Sequence, residues 1–391
     1  MAIERPKKLL KRAFVQTLES RLKEEDPLIQ VILGPRQVGK TTGVQMLSGF
    51  GDSLYYTTAD DSLSQVPEWI IEQWQAAKLH SKSPILIIDE IQKVIQWSER
   101  IKALWDAERR KQSSFKLVLL GSSSLGLQKG LEESLTGRFE VIQVYHWNFD
   151  ESHRQFGFSL DDFLLYGGYP ESARFVGNYK RWRTYLKNSI VETVVGKDIL
   201  RQSAVRKPAL FRQTFELLAS YPAQMMSYNK LLGQLQEGGN TDLIKTYIEL
   251  FEGAFLFRSV QKFSGSKIKQ KNSSPKIFPL CPCLYSYQLS GKELMNPEIR
   301  GRIFEAAVGA ELARLPGELF YWRESDTSEV DFVYLDGTKI LAIEVKSGRR
   351  KSSRGISDFL KKHPKASPVF VTPENFAELS KSPEGFLKQM L

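Results

Sequence analysis

The apolar run Ile29–Leu33 leads directly into Gly34-Pro35-Arg36-Gln37-Val38-Gly39-Lys40-Thr41, and no other feature limits the fold of this chain as strongly. Gly, four residues, Gly, Lys and Thr make the P-loop pattern. The spacing has a physical cause. The two glycines let the backbone wrap tightly enough for consecutive N–H groups to point inward at a phosphate. A helix beginning near Lys40 and running over residues 42–47 adds the positive end of its dipole. Gly34, Pro35, Arg36, Gln37, Val38, Gly39, Lys40, Thr41 and Thr42 are therefore expected to bind nucleotide. Lys40 can reach the β- and γ-phosphates of ATP, and the Thr41 hydroxyl can ligate Mg²⁺.

A second strand, 85–88, ends in Asp89-Glu90. An apolar strand needs only a core to explain it, but two adjacent carboxylates at its C-terminal end suggest a ligand site. Asp89 is expected to hold magnesium, and Glu90 to polarise the attacking water. A third strand, 117–120, ends in Gly121-Ser122-Ser123-Ser124, where Ser122 can hydrogen-bond the nucleotide. Arg138, after Gly137, can stabilise charge on a γ-phosphate, its own or a neighbour's.

Around these motifs, residues 1–150 alternate short strands (also Leu54–Thr58 and 141–144) with helical stretches. That pattern implies an α/β domain with a parallel sheet covered by helices on both faces. Residues 151–220 have helical periodicity and no strand-like run. Residues 221–290 read as two short helices and a hairpin. Residues 291–391 read as a helix followed by two strands, 330–334 and 340–345, with an Asp-Gly turn at 336–337.

Apolar residues make up 41% and charged residues 26% of the 391, which suits a chain with ordinary buried cores. With no long apolar run and only two cysteines, Cys281 and Cys283, the expectation is a cytoplasmic protein with no membrane contact and two buried or partly buried thiols. The net charge of +10 favours polyanionic partners, although no long block of like charge stands out.

These residues together resemble AAA-type ATPases of bacteria and archaea, in the branch that joins the ATPase core to a C-terminal domain of unknown function with a restriction-nuclease-like fold. The resemblance rests on residues 34–41, Ile88-Asp89-Glu90-Ile91-Gln92-Lys93, Gly121-Ser122-Ser123 and Ser134-Leu135-Thr136-Gly137-Arg138. It continues through Gly167-Gly168-Tyr169-Pro170-Glu171, Lys197-Asp198-Ile199 and residues 302–346. The chain departs from the pattern at 280–284, Leu-Cys-Pro-Cys-Leu, where relatives commonly carry an acid.

Residues 227–232 and the helix from Thr241 to about Glu252, followed by a hairpin, resemble a winged helix. The second helix carries Asp242, Glu249 and Glu252 against Lys245, which suits a phosphate-lined groove poorly. The basic residues lie in the wing, at Lys262, Lys267, Lys269 and Lys271. Two readings stay open: DNA contact through backbone phosphates, or a packing and partner-binding module.

In the C-terminal part, Glu344 and Lys346 lie two apart on one strand and share a face. Asp331 sits on the neighbouring strand, and Glu305 on the helix over 302–312. Asp331 and Glu344 can ligate Mg²⁺, Glu305 can complete the shell, and Lys346 can steady a hydroxide. This is the PD-(D/E)XK arrangement the resemblance implies, in a domain that either cuts nucleic acid or only binds. The expected whole is a Mg²⁺-dependent ATPase, in which oligomer formation decides whether Arg138 acts in cis or trans, coupled to a nuclease-like domain. The rival expectation is a nucleotide-switched binding or protein-remodelling ATPase on an inactive scaffold.

Overall fold

A computed structural model describes residues 9–60, 65–121, 124–202, 205–235, 238–265, 270, 273–348 and 354–390. Ser122 and Ser123, and the wing lysines Lys267, Lys269 and Lys271, lie outside the described residues. The chain divides into two compact units, one of Leu9–Tyr145 and the other of His146–Leu391. No helix among the described residues is long and apolar enough to cross a membrane.

The first unit is built on five parallel strands: β1 (Ile29–Leu33), β2 (Leu54–Thr58), β3 (Ile85–Asp89), β4 (Lys116–Gly121) and β5 (Phe139–Gln143). Their order is β2-β3-β4-β1-β5. All five residues of β1 and of β3 are buried, as continuous apolar runs in a covered parallel sheet must be. Helix Pro67–His80 buries Ile70, Trp74 and Ala77. Helix Trp97–Arg110 buries Trp97, Ile101 and Trp105, a stripe at four-residue spacing. Trp74 stacks on Phe115 with ring centroids 4.2 Å apart. Each large side chain buried this way contributes about 1.5–3 kcal/mol. β1 lies between β4 and β5, so the loop after it opens at the carboxyl edge of the sheet, where the chain order reverses.

In the second unit, residues 149–220 form helices and helical turns without a strand among the described residues, as the periodicity suggests. Seven strands follow: β6 (Gln224–Met225), β7 (Phe257–Lys262), β8 (Lys276–Pro279), β9 (Glu318–Ser325), β10 (Ser328–Asp336), β11 (Lys339–Val345) and β12 (Ala366–Val371). They make one mixed sheet in the order β12-β11-β10-β9-β7-β8-β6. The hairpin β7–β8 forms as expected, but it is not a free wing. β7 pairs in parallel with β9, so one sheet spans residues 224–371.

The sequence expectation of two strands after the helix is corrected to four. β9 carries Leu319-Phe320-Tyr321-Trp322, a run too apolar for clean alternation. β12 contains Pro368, which argues against a strand yet fits here because β12 is the sheet edge. The helix expected over 302–312 runs from Pro297 to Leu312 and is buried over most of its C-terminal half. A Cβ at Gly309 would stand 2.7 Å from the Phe332 ring. Glycine thus lets this helix lie close on β10, which brings Glu305 down to the sheet.

Helix Thr241–Gly253 is capped by the Asn240 side chain, which accepts from the Leu243 N–H at 2.8 Å, rather than by Thr241. It buries Ile244, Tyr247, Ile248 and Phe251 and leaves Asp242, Lys245 and Glu249 exposed. Glu252 turns inward, accepting from the Ser259 N–H at 2.7 Å. Cys281 and Cys283 are both buried and free, with their sulfurs 3.2 Å apart.

Candidate nucleotide site and a buried acidic cluster

Between β1 and helix Lys40–Gln45, Gln37 and Gly39 both have left-handed backbone, with φ of 57° and 86°. This local change of hand turns neighbouring N–H groups toward a common centre. At Gln37 it costs about 1–2 kcal/mol, a strain typical of functional loops. Gly34 is required for a different reason: a Cβ there would stand 2.1 Å from the Val144 carbonyl oxygen. The Arg12 guanidinium donates to the carbonyls of Val38 and Tyr145, at 3.2 and 3.1 Å, and braces the loop from beneath.

Lys40 is buried, and its ammonium donates to the carbonyls of Gly34 at 2.9 Å and Pro35 at 2.7 Å. Burial pulls its pKa down to about 8, against the attraction of Glu90 and Asp89 and helped by Arg36 and Arg12. Phosphates beside this amine restore its charge. ATP binding near pH 8 therefore takes up a proton, roughly half of one if Lys40 alone responds. Affinity is full below that pH and falls as pH rises through it. Calorimetry in buffers of different ionisation enthalpy measures the uptake, and Lys40→Met should abolish it.

Across from the loop, the Thr41 hydroxyl donates to Asp89 Oδ2 at 2.5 Å. The Tyr56 hydroxyl donates to the same oxygen at 3.1 Å, and burial, with this carboxylate second, pushes the phenol pKa up. The other oxygen, Asp89 Oδ1, accepts from the Glu90 N–H at 2.9 Å. Glu90 sits in left-handed backbone, φ 55°, and its Oε2 accepts from Gln92 Nε2 at 2.7 Å. The strained backbone and this amide hold the carboxylate in place. A hydroxyl and a carboxylate side by side suit magnesium, which takes one or two protein oxygens and completes its shell with phosphate and water.

The first unit thus gathers the loop, Thr41, Asp89 and Glu90. Tyr56 was not singled out from sequence, and Gln92 entered only as part of the family motif, with no role assigned. Tyr56 lies on β2, whose parallel pairing with β3 sets Thr58 beside Asp89. Arg138 has a bidentate partner, with Nε and Nη2 donating to Asp106 at 2.7 and 3.0 Å. It would reach a phosphate only after that pair opens.

The second unit holds a cleft of about 710 Å³ lined in part by Glu305, Glu329, Asp331 and Glu344. Two of the three acids expected from the sequence, Glu305 and Asp331, meet an unexpected partner, and Glu329, which the sequence reading did not single out, joins them. Lys276, on β8, is fully buried and its ammonium forms an ion pair with Glu305. It also lies 3.7 Å from Glu329 and 3.8 Å from Asp331 Oδ1, and donates to the Asp331 carbonyl at 3.1 Å. The three carboxylates hold Lys276 charged against its burial and push its pKa up. Burial and neighbouring Asp331 push Glu305 up to about 7, against the pull of Lys276. One ammonium cannot neutralise three acids, so one of them titrates high.

Asp331 Oδ2 accepts from the Val345 N–H at 2.8 Å. Lys346 carries its ammonium over the Phe370 ring, 5.6 Å from the centroid. Among the described residues no group of three or more His, Cys, Asp or Glu is placed to hold a metal ion. Glu305, Asp331 and Glu344 share a cleft, but they do not fit a divalent ion as they stand, because an ammonium already sits among the carboxylates.

Family models match three successive stretches of the chain. Residues 26–153 match the family model described as AAA domain. Residues 157–293 and 300–382 each match a domain of unknown function, DUF8612 and DUF4143. An uncharacterized protein of Methanocaldococcus jannaschii is 24% identical over 359 residues, covering 85% of this chain and 78% of its own. Among solved structures, the RuvB Holliday junction branch migration motor of Thermotoga maritima is similar at 16% identity and TM-score 0.35. That match covers 65% of this chain and 92% of RuvB. AMPPCP-bound DnaA of Aquifex aeolicus is similar at 15% identity and TM-score 0.33, covering 61% and 86%. With the loop, Thr41 and Asp89 arranged as described, residues 26–153 form an AAA-type P-loop ATPase domain.

Proposed function

We propose that this protein hydrolyses ATP with Mg²⁺ and uses the turnover to change what its C-terminal unit binds. The observation that carries the reading is the direct contact of Thr41 with Asp89, beside a Glu90 oriented by its own backbone and by Gln92. Mg²⁺ held by Thr41 and Asp89 would neutralise charge on the phosphates. Lys40 and the loop N–H groups orient the γ-phosphate, and Glu90 accepts a proton from water as it attacks.

For the C-terminal unit, the nuclease-like resemblance and the net charge of +10 support DNA as the polyanion to test, held mainly through its backbone. Between cutting and binding, Lys276 favours binding, because the acids that would assemble a metal centre are engaged by an ammonium. A remodelling role on protein fits the exposed acidic face of helix Thr241–Gly253 less directly, since such a face names no substrate.

Phosphate release and plasmid integrity, followed together with Mg²⁺ or Mn²⁺, test the reading. We expect metal-dependent phosphate release that Lys40→Ala abolishes, and intact plasmid. Full turnover in Lys40→Ala sinks the ATPase assignment. Plasmid cleavage that disappears in Asp331→Ala restores the cutting reading. No retardation of DNA at low salt removes DNA as the partner.

A further inference from the structure

We infer that Lys276 is the resident cation of the C-terminal acidic cluster, taking the place of a divalent ion, and that removing its ammonium turns the cluster into a divalent-cation site. The inference rests on the binding reading of this unit and is independent of the ATPase site.

Four observations converge on it. First, the ammonium lies among Glu305, Glu329 and Asp331, which come from a helix and from β10, while Lys276 comes from β8. Their oxygens surround the nitrogen as counter-charges, those of Glu329 and Asp331 at 3.7 and 3.8 Å, rather than as a ready-made coordination shell. Second, the lysine cannot swing away to make room. It has no exposed surface, and the centroid of the Phe332 ring lies 4.9 Å from its nitrogen. Third, the remaining oxygen of Asp331 is committed to the Val345 N–H, so the carboxylate cannot rotate freely toward an ion elsewhere in the cleft. Fourth, a divalent ion at the same oxygens would sit within a few ångströms of a fixed positive charge in a poorly solvated site, where like charges repel most strongly.

The carboxylates nevertheless outnumber the ammonium three to one. With Lys276 gone, they would be a set of close, uncompensated acids beside a cleft of about 710 Å³ that gives water and ions access. Such a set binds a hard divalent ion or takes up protons.

Mn²⁺ titration monitored by electron paramagnetic resonance, without nucleotide, tests this. The full chain carries Asp89→Asn throughout, so that the nucleotide site lacks the carboxylate expected to hold Mg²⁺. The parent should show no saturable Mn²⁺ site. Adding Lys276→Ala should create one, at least about tenfold tighter than any parental binding, and adding Asp331→Asn should remove it. Mn²⁺ should also raise the melting temperature of the Lys276→Ala protein and leave the parent unchanged. Stoichiometric Mn²⁺ binding by the parent that Asp331→Asn abolishes overturns the inference, whether or not the Lys276 variants fold. A folded Lys276→Ala protein that gains no site overturns it as well. Neither failure touches ATP turnover, which is measured on protein with Asp89 intact.

Discussion

Glu90→Gln should leave ATP bound while lowering the rate of the chemical step by about 10²–10⁴-fold, the usual contribution of a positioned general base. The amide keeps the size of the side chain and can still pair with Gln92 after a flip, so the loop is not disturbed. It cannot accept a proton at neutral pH. The backbone at Glu90, φ 55°, explains why position matters. That conformation costs about 1–3 kcal/mol in a non-glycine residue and persists only where the surroundings impose it. Here they do so through Asp89 Oδ1 and the Gln92 amide. Single-turnover phosphate release, with nucleotide affinity measured in parallel, checks the split. An unchanged rate would mean that water is activated by another group. A matching loss of affinity would mean that Glu90 holds the loop together instead.

Lys276→Met should destabilise the C-terminal unit by about 3–5 kcal/mol, the cost of removing one partner from a buried ion pair. Methionine fills much of the space, so the loss is electrostatic: Glu305, Glu329 and Asp331 remain without their ammonium. The sign of the pH dependence follows. Glu305 already titrates near 7, well above the ordinary carboxylate range, and without Lys276 it is pushed further. An acid whose pKa is higher folded than unfolded binds protons more tightly when folded. Its stability is therefore fullest at low pH and is lost as pH rises through the folded value. The variant should recover toward the parent as pH falls from 8 to 5. Denaturant midpoints across that range measure it, and a penalty independent of pH would mean that packing, not charge, is what Lys276 supplies.

These two sites differ in how far they can be read before the chain is folded. The nucleotide site is nearly all local. Gly34, Gly39, Lys40 and Thr41 lie within eight consecutive residues, and Asp89-Glu90 close an apolar strand whose burial is evident from composition. Spacing carries that chemistry because a phosphate is bound by consecutive backbone groups. Even there, Tyr56 and the contact of Gln92 with Glu90 were invisible. Tyr56 reaches Asp89 only because β2 pairs with β3 in one register, and Gln92 looks like any polar residue after a strand. Arg138 was legible as an arginine after a glycine, but its pairing with Asp106, 32 residues earlier, was not.

In the C-terminal unit the balance reverses. Glu344 and Asp331 could be placed on neighbouring strands from alternation and the Asp-Gly turn, and β10 and β11 do pair antiparallel, but β11 ends at Val345, so Lys346 lies just past the strand on which it was expected. Lys276 read as one more residue of a short hairpin strand. Nothing in its neighbourhood marks it, because its partners lie 29, 53 and 55 residues away. Strand β12 was missed for a related reason: Pro368 is unfavourable in a strand on local grounds and becomes acceptable only at a sheet edge.

The sequence by itself determined the phosphate loop, the acids after β3 and the alternation that builds a parallel sheet, because each depends on residues adjacent in the chain or on a repeating period. Only the tertiary structure decided that β7 joins the C-terminal sheet, that Glu90 is held in left-handed backbone, and that a buried lysine stands among the C-terminal acids. Those depend on charge and packing between segments far apart in the chain. Their energy is set by burial, which no local pattern records.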